Sequence, residues 1–406
     1  MAAHAPNLVP VMRVLFTSRP LHGHVQPLLP LARALRDSGH QVGFATGPAF
    51  LPALLEMGFT TFKAGNDPLT VEKRNELFPE SLKLPPRDQR HFFFPRIFAG
   101  VEALPRAIDV LEVITTWGPS LLVNEVAELG GPLAAARAGI PHVTVGFGPP
   151  VQADVLALTD AAVAPYWASY GVKAATPAGL YDNLYLDPCP PSLQPSGLGI
   201  IPNRRGIRTG TGPLLNEAAA TTLAGFPTQG VIYATMGTIY GRDAQLFRNV
   251  IAGVASAGRP LLVTSGPHVS ASEIGAIAAN TIVVPFLAQA AVLPRCDLAV
   301  THGGAGSVLG ALAFGVPLLI LPRGADQFYN ATLVERAGAG RWLEPNDVSA
   351  DSIGEAVRLL LADAGYAAAA RRIKAEIDSM PSPADVAAAL EDLAIRPGKP
   401  NQPSLK

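Results

Sequence analysis

The sequence is poor in charged residues, which make up only 16% of its 406 positions and leave a formal net charge of −1. This balance excludes a strongly basic face for nucleic acid and a cationic helix for an anionic membrane surface. Hydrophobic residues reach 49%, and 406 residues are too many for a single ordinary core. We therefore expect two domains of similar size whose partners are small molecules, with homodimerisation left open.

Cysteine is scarce as well: Cys189 and Cys296 are the only two, and they lie far apart in the sequence. Without a Cys-x-x-Cys pair or a histidine cluster, neither a disulfide framework nor a zinc site is indicated. The segment from Met1 to Val11 lacks the charged and apolar regions of a secretory signal. These features predict a cytoplasmic protein without a bound metal.

A long uninterrupted hydrophobic run is also missing. The most apolar stretch, Val308 to Pro322, contains Gly310, Gly315 and Pro317 and is shorter than the roughly 20 residues of a membrane-spanning helix. We interpret it as a buried helix followed by a buried strand, and we predict no membrane span.

Short β-branched runs alternate with longer Ala/Leu-rich segments, a pattern typical of α/β proteins with parallel sheets. The first unit reads as a strand at Arg13 to Ser18, a helix at Leu28 to Arg36 and a strand at Gln41 to Thr46. The same order restarts later, with a strand at Val231 to Thr235, a helix near Asp243 to Ala257 and a strand at Leu261 to Val263. Two similar α/β domains are predicted.

The segment between these two units, Asp187 to Pro213, is rich in proline and glycine and is the expected linker. We place the first domain at residues 12–200 and the second at residues 214–383. A final helix, at residues 384–396, is expected to cross back to the first domain.

A second irregular stretch, Asn66 to Pro95, ends in the cluster His91-Phe92-Phe93-Phe94. It is too apolar for a solvated loop and too broken for a regular element. Such segments often shape ligand pockets, so we assign these four residues to the binding site of a hydrophobic substrate. The alternative is that the phenylalanines simply pack on the first domain.

A glycine-rich turn, His302-Gly303-Gly304-Ala305-Gly306-Ser307, follows the apolar strand Leu298 to Thr301 and precedes an Ala/Leu-rich helix. Backbone N–H groups in such a turn approach an anion closely, and the helix N-terminus adds about half a positive charge. His302 and Ser307 can both donate to phosphate oxygens. The turn predicts a diphosphate site, although such turns are as often purely structural.

Two common nucleotide motifs are excluded at this turn. The dinucleotide fingerprint requires a third glycine where Leu309 stands, and a P-loop requires a lysine that is absent. Further on, Asp326-Gln327 follows the strand Leu318 to Leu321. An acid and an amide at the end of a strand suit sugar hydroxyls, while the competing role for Asp326 is a helix N-cap.

Together, these segments resemble the donor-binding signature of family 1 glycosyltransferases of the GT-B fold, in particular the actinomycete enzymes that act on polyketides and related natural products. The resemblance covers nearly the whole chain. It is carried by Phe286 to Gln289, Val292 to Pro294, Thr301 to Ser307, Gly315 to Pro317 and Asp326-Gln327. It implies two Rossmann-like doubly wound domains that face each other across a cleft.

The resemblance also implies roles for individual residues. In that family a His and a Ser hold the donor diphosphate, an Asp-Gln pair holds the sugar, and a further residue lies beside the nucleobase. These roles fall on His302, Ser307, Asp326, Gln327 and Phe286. The donor site is completed by Gln289, Gly304, Gly306 and the turn Gly237-Thr238, which at its position could equally be a plain turn.

One departure bears on the donor. Plant members of the family have a Glu three residues after the Ser, where it binds the ribose hydroxyls of UDP, whereas this chain has Gly310. Because a thymidine nucleotide lacks the 2'-hydroxyl, we predict a TDP-sugar in preference to a UDP-sugar as co-substrate, with no other cofactor. A neighbouring side chain that replaced the contact would reopen the UDP alternative.

The loop Ser18 to Pro27 follows the first strand and should lie at the carboxyl edge of the first sheet. Sugar transfer to a hydroxyl requires a base, and histidine has a suitable pKa. The resemblance places the base in a Gly-His-x-x-Pro pattern, which here is Gly23-His24 with Pro27. His24 is therefore the predicted base, and His22 is assigned to the pocket wall.

A catalytic imidazole is oriented best by an acid. The family places an Asp after a later strand, and here Glu125 follows Leu121 to Asn124. Glu128, one helical turn further on, is the alternative. A third possibility is that Glu125 only complements the dipole of a following helix.

No Asp-x-Asp sequence occurs, which argues against a transferase that binds its diphosphate through a divalent cation. We expect a metal-independent, single displacement with inversion at the anomeric carbon. Two alternatives remain: an epimerase or hydrolase of nucleotide sugars, against which the Phe-bearing segment argues, and a non-catalytic helper that binds the aglycone. Retention of both His24 and Glu125 argues against the helper.

Overall fold

The computed structural model describes residues 11–196, 199, 201–208, 217–237, 241–275 and 277–395. Thr238, which we assigned to the donor site, lies outside these residues. Within them, no helix is both long and apolar enough to cross a membrane.

The first seven strands form one parallel sheet in the order β3-β2-β1-β4-β5-β6-β7. Helices cover both faces of this sheet, so its strands are largely apolar. Val14, Leu15 and Phe16 of β1, for example, are fully buried. The strands are β1 (Arg13–Thr17), β2 (Gln41–Thr46), β3 (Thr60–Lys63), β4 (Leu121–Glu125), β5 (His142–Val145), β6 (Leu184–Asp187) and β7 (Arg204–Gly206).

The remaining strands form a second parallel sheet in the order β10-β9-β8-β11-β12-β13. They are β8 (Val231–Thr235), β9 (Leu261–Thr264), β10 (Thr281–Val284), β11 (Cys296–Thr301), β12 (Leu318–Ile320) and β13 (Gly340–Trp342). The predicted α/β class and the two doubly wound domains are therefore confirmed, and the predicted strands and helices differ from the observed ones only at their ends.

Helices lie on the faces of both sheets. Those before the second sheet are α1 (His22–Val25), α2 (Leu29–Asp37), α3 (Leu51–Glu56), α4 (Val71–Leu77), α5 (Gln89–Phe92), α6 (Ala103–Trp117), α7 (Gly130–Ala138) and α8 (Ala153–Ser169), with a π-helical segment at Phe93–Glu102 between α5 and α6. The others are α9 (Glu217–Thr222), α10 (Ala244–Ala255), α11 (Ala271–Ile274), α12 (Gln289–Val292), α13 (Ala305–Ala313), α14 (Gln327–Arg336), α15 (Ala350–Ala362), α16 (Ala364–Ser379) and α17 (Pro383–Ile395).

The segment from Asn66 to Pro95 is thus more regular than its sequence indicates. It contains α4, α5 and two short 3₁₀ turns at Pro79–Lys83 and Pro86–Asp88. The reason is local: the Thr70 side chain accepts a hydrogen bond from the backbone N–H of Lys73 and so caps α4.

The first sheet extends past residue 200, the predicted end of the first domain, because β7 pairs in parallel with β6. The last helix, α17, packs on α2 of the first domain, and its Leu390 is fully buried there. The domain limits themselves stay a prediction.

Both sheets reverse their strand order at one point, between β1 and β4 in the first and between β8 and β11 in the second. Open parallel sheets bind ligands outside the carboxyl ends of the strands at such a point. The loops after these four strands are therefore the candidates for a site.

Candidate active site

His24 lies in α1, just after β1, and Glu125 is the last residue of the neighbouring strand β4. The two side chains meet, with His24 Nδ1 2.9 Å from Glu125 Oε1. The imidazole is mostly buried, and the carboxylate is completely buried. The reversal of strand order thus brings together two residues that are about a hundred positions apart in the sequence.

Burial alone would raise the pKa of the Glu125 carboxyl. The His24 ring, through its charge and its hydrogen bond, and the backbone N–H of Ala127 instead hold that pKa below its usual value. The Ala127 N–H donates to Oε2 at 2.6 Å. Glu125 is therefore ionised at neutral pH and can stabilise a proton on His24.

Glu128, the alternative partner, is turned away from His24. Its carboxylate accepts hydrogen bonds from the Thr17 hydroxyl at 2.6 Å and from the backbone N–H groups of Gly130 and Gly131. Burial raises the pKa of the Glu128 carboxyl, although the positive charge of the nearby Arg106 acts in the opposite direction. It therefore ties β1 to the start of α7 and does not orient the imidazole.

The His302 ring, just after β11, is seated on two glycines. A Cβ atom on Gly237, at φ +68°, would lie 2.7 Å from the ring, and one on Gly304 would lie 2.5 Å from Nε2. Burial lowers the pKa of His302 to about 4. At neutral pH the ring is therefore uncharged and has one N–H. Nδ1 lies 3.3 Å from the Thr301 hydroxyl, and when Nδ1 accepts from this hydroxyl, Nε2 carries the hydrogen and can donate.

The helix α13 starts directly at this turn, with Gly304 as its N-cap residue and Gly306 in its first turn. Ser307 accepts a hydrogen bond from Gln289 Nε2 at 3.1 Å. Phe286 is 79% exposed, so its ring is open to a planar ligand. The turn, the N-terminus of α13 and the Ser307 hydroxyl, which we call the anion cradle, present donors that would suit an anionic group.

Asp326 and Gln327 are neighbours in sequence but bond to different partners. Gln327 Oε1 accepts from the backbone N–H of Arg323 at 2.7 Å and of Gly324 at 3.2 Å, so it orders the loop. The Asp326 carboxylate accepts from Asn330 Nδ2 at 2.7 Å and does not cap α14. Among described residues, then, Asp326 offers free acceptor capacity to a sugar, and the Gln327 amide nitrogen offers a donor.

Not all residues assigned to the acceptor side contact the His24 ring. His22 is exposed and packs on Phe50, while His91 pairs with Asp154 at 2.8 Å. Phe92 and Phe93 pack on each other.

Phe94 is the member of the cluster that reaches the site. It packs edge-on against Phe98 with ring centroids 5.0 Å apart, and the Phe98 ring centroid is 6.4 Å from that of His24. Phe147, which follows β5, lies 5.3 Å from His24. Sequence reasoning missed Phe98 and Phe147, although Phe98 is one helical turn after Phe94 and Phe147 stands at a strand's carboxyl end.

Two charged residues next to His24 were also missed. Arg19 Nη1 lies 3.2 Å from His24 Nε2, and Glu102 forms an ion pair with Arg19. Arg19 lies in the loop that contains His24, so its position after β1 was a usable signal. Glu102, at the end of the π-helical segment, gave none.

The two domains touch beside the site. A Cβ atom on Gly148, which follows Phe147, would lie 2.6 Å from the Ala305 Cβ at the start of α13. Gln89 of α5 accepts from the backbone N–H of Ala325 at 3.3 Å. The imidazole and the anion cradle therefore belong to one cleft.

Comparisons with known proteins find similarity along nearly the whole chain. Residues 252–393 match the family model described as erythromycin biosynthesis protein CIII-like, C-terminal domain. The sequence is 32% identical to the L-demethylnoviosyl transferase of Streptomyces niveus, over 93% of this chain and 97% of that protein.

Solved structures agree with the sequence comparisons. The glycosyltransferase SnogD from Streptomyces nogalater superposes with a TM-score of 0.74 at 28% identity, over 95% of this chain and 100% of that one. The glycosyltransferase VinC, in complex with DTDP, superposes with a TM-score of 0.75 at 26% identity over the same shares.

Proposed function

The chain belongs to the GT-B glycosyltransferases of antibiotic and polyketide biosynthesis, and we propose that it moves a deoxy sugar from a TDP-sugar to a hydroxyl of a small hydrophobic natural product, with inversion at the anomeric carbon. The observation that carries the proposal is the His24–Glu125 pair, which lies across the interdomain contact from the anion cradle.

In this mechanism, His24 takes the proton of the acceptor hydroxyl as its oxygen attacks the anomeric carbon. Glu125 accepts the Nδ1 hydrogen bond and stabilises the imidazolium that forms. The bond from the anomeric carbon to the diphosphate breaks in the same step. Attack from the face opposite the leaving group inverts the configuration, so an α-linked donor gives a β-linked product.

The leaving diphosphate gains charge as this bond breaks. The His302 N–H, the Ser307 hydroxyl and the N-terminus of α13 are the groups that would stabilise it. We propose that these donors act in place of a divalent cation and that the reaction uses no cofactor beyond the nucleotide sugar. Asp326 and the Gln327 amide nitrogen would bind sugar hydroxyls.

The preference for a TDP-sugar is supported by the surroundings of Gly310. A Cβ atom there would lie 2.9 Å from Gln289 Oε1, so the Gln289 amide occupies the space beside this glycine. Its nitrogen is engaged by Ser307, and a neutral amide oxygen accepts more weakly than a carboxylate. The site therefore lacks a carboxylate at this position for a ribose 2'-hydroxyl.

The acceptor pocket is proposed to be aromatic. The rings of Phe98 and Phe147 lie beside His24, and Phe94 packs on Phe98 behind them. Apolar rings with one polar group at the reacting position are typical of sites for hydrophobic ligands.

Replacement of His24 with Ala tests the mechanism. Transfer should fall by roughly 10²- to 10⁴-fold, the usual contribution of a general base, while TDP affinity, measured by calorimetry, stays unchanged. Unchanged transfer would refute the role of His24. Release of free sugar without an acceptor in the wild-type protein would instead indicate a hydrolase.

The nucleotide preference is tested by thermal stabilisation of the protein in matched concentration series of TDP and UDP. A ligand that binds the folded state raises the melting temperature according to its affinity. TDP should give the larger shift at every concentration. Equal shifts would remove the argument from Gly310.

A further inference from the structure

Arg19 is held rigidly beside the imidazole of His24. Its guanidinium makes two bonds to Glu102, from Nε at 2.5 Å and from Nη2 at 2.9 Å. It also lies over the Phe98 ring, with Cζ 3.8 Å from the ring centroid. The Arg19 residue is only 5% exposed. These contacts fix two nitrogens of the guanidinium and leave the third, Nη1, directed at His24.

The contact with His24 determines which ring nitrogen carries the proton. A guanidinium can only donate hydrogen bonds, so His24 Nε2, 3.2 Å from Nη1, must accept with its lone pair. Nδ1 then carries the hydrogen and donates it to Glu125. Arg19 and Glu125 thus select the same neutral tautomer, the one that leaves a basic lone pair on Nε2.

Arg19 contacts Glu125 as well. Its backbone N–H donates to Glu125 Oε1 at 3.3 Å, the oxygen that also receives the His24 hydrogen bond. One residue therefore touches the base through its side chain and the orienting acid through its main chain. A residue that served only to close the loop after β1 would need neither contact.

We propose that Arg19 is a positioning residue for the His24 base. In the absence of an acceptor, its Nη1–H donates a hydrogen bond to the Nε2 lone pair; when the acceptor binds, the acceptor hydroxyl takes the place of Nη1–H at this lone pair. In transfer, the hydroxyl proton moves to Nε2 and the oxygen forms the bond to the anomeric carbon, while Arg19 keeps all its protons. The imidazolium keeps its hydrogen bond to Glu125 until the proton passes to solvent. The inference rests on the proposed role of His24.

The test uses diethyl pyrocarbonate, whose carbonyl carbon is attacked by an imidazole nitrogen with a free lone pair, so that this nitrogen becomes acylated. The reaction requires neither the nucleotide sugar nor the acceptor substrate. The full-length protein is treated at about pH 8, where imidazoles are mostly neutral. Fragmentation mass spectrometry separates His24 from His22 in the same peptide. Since Nδ1 is engaged by Glu125, the rate at His24 reports on Nε2.

In Arg19→Met, His24 should be acylated roughly tenfold faster than in the wild type, the factor expected for the loss of one hydrogen bond to a charged donor. The rate at His91, which pairs with Asp154 and has no contact with Arg19, should not change. Arg19→Lys keeps the charge but lacks the fork that reaches both Glu102 and Nε2. Its His24 rate should therefore resemble that of the Met variant.

Unchanged acylation of His24 in folded Arg19→Met would overturn the proposal. Because that variant leaves the Glu102 charge without its partner, the double variant Arg19→Met, Glu102→Gln provides the same measurement without a buried unpaired charge. The two proposals also fail separately. Persistent transfer by His24→Ala would refute the base, whereas the acylation rates decide only the contact between Arg19 and Nε2.

Discussion

At the residue scale, the anion cradle depends on the two glycines under His302. An imidazole occupies the volume that a side chain on Gly237 or Gly304 would fill. The cradle therefore needs small residues for steric reasons, in addition to the close approach of backbone N–H groups to an anion.

Two matched substitutions test whether the His302 ring requires glycine at position 304. Gly304→Ala should destabilise the protein and weaken TDP binding, because its Cβ must displace the His302 ring. In Gly306→Ala the added Cβ meets no protein atom within 4 Å, and the better helix propensity of Ala should stabilise the free protein by about 0.5–1 kcal/mol. Urea unfolding of the free variants measures both effects. Similar stability changes in the two variants would contradict the steric role of Gly304.

The lowered pKa of His302 makes a prediction about acid stability. The folded protein holds this ring neutral down to about pH 4, whereas the unfolded chain takes up its proton near pH 6.5. Stability is therefore lost as the pH falls from about 6.5 towards 4, by an amount on the order of 2 kcal/mol from this residue. In His302→Gln the loss over this interval should be smaller, as measured by urea unfolding at a series of pH values. An identical pH slope in the two proteins would contradict the assignment.

Sequence reasoning at this scale selected His24 and Glu125, which the structure brings into contact. It succeeded because each lies at the end of a recognisable strand, where strand ends meet at one edge of a parallel sheet, and because the family resemblance places a base in the Gly-His-x-x-Pro pattern and an acid after a later strand. Arg19 and Glu102 were not selected. Their contact joins positions 83 residues apart, and neither a period nor a turn signal encodes which loop side chains meet.

At the scale of elements, the strands and most helices were readable from hydrophobic runs and glycine turns. The π-helical segment Phe93–Glu102 was not. Pro95 lies inside it and removes a backbone donor, which disfavours a regular α-helix and hides the segment from a search for helical periodicity. This segment nevertheless carries Phe98 and Glu102, two of the residues around His24 and Arg19.

The packing of α17 on α2 gives a prediction about stability. Leu390 is fully buried in the core of the first domain, with Val25 and Leu28 among the residues of that cluster. Leu390→Ala should cost about 2–4 kcal/mol, measured by urea unfolding. The control is Leu158→Ala in α8, where the leucine is 50% exposed and the cost should be small. Equal costs would show that α17 does not stabilise the first domain.

At the scale of the whole molecule, the two domains meet where Gly148 packs against Ala305. The contact joins the loop after β5, next to His24 through Phe147, to the first residue of α13. Closure of the cleft therefore requires that residue 148 has no side chain. Domain closure of this kind excludes water and completes a catalytic site.

Gly148→Ala tests this requirement. Its Cβ would lie 2.6 Å from the Ala305 Cβ, so the domains should stay apart, transfer should fall, and TDP affinity should be unchanged because the cradle is intact. Small-angle scattering should detect the more open shape. The double variant Gly148→Ala, Ala305→Gly removes the clash from the other side and should restore transfer. Loss of transfer in both variants alike would point to a different cause.

The return of α17 to the first domain constrains how such proteins can be recombined. The two sheets are built from separate stretches of sequence, although Cys189 and Leu193, between β6 and β7, already pack into the core of the second half. After residue 382 the chain adds a helix to the core of the first half, which it left after β7. A chimera that joins this acceptor half to a donor half from a relative therefore needs two crossover points, one between β7 and β8 and one just before Pro383. With a single crossover, a foreign α17 would have to fit the α2 surface, and the hybrid would inherit a mismatched core.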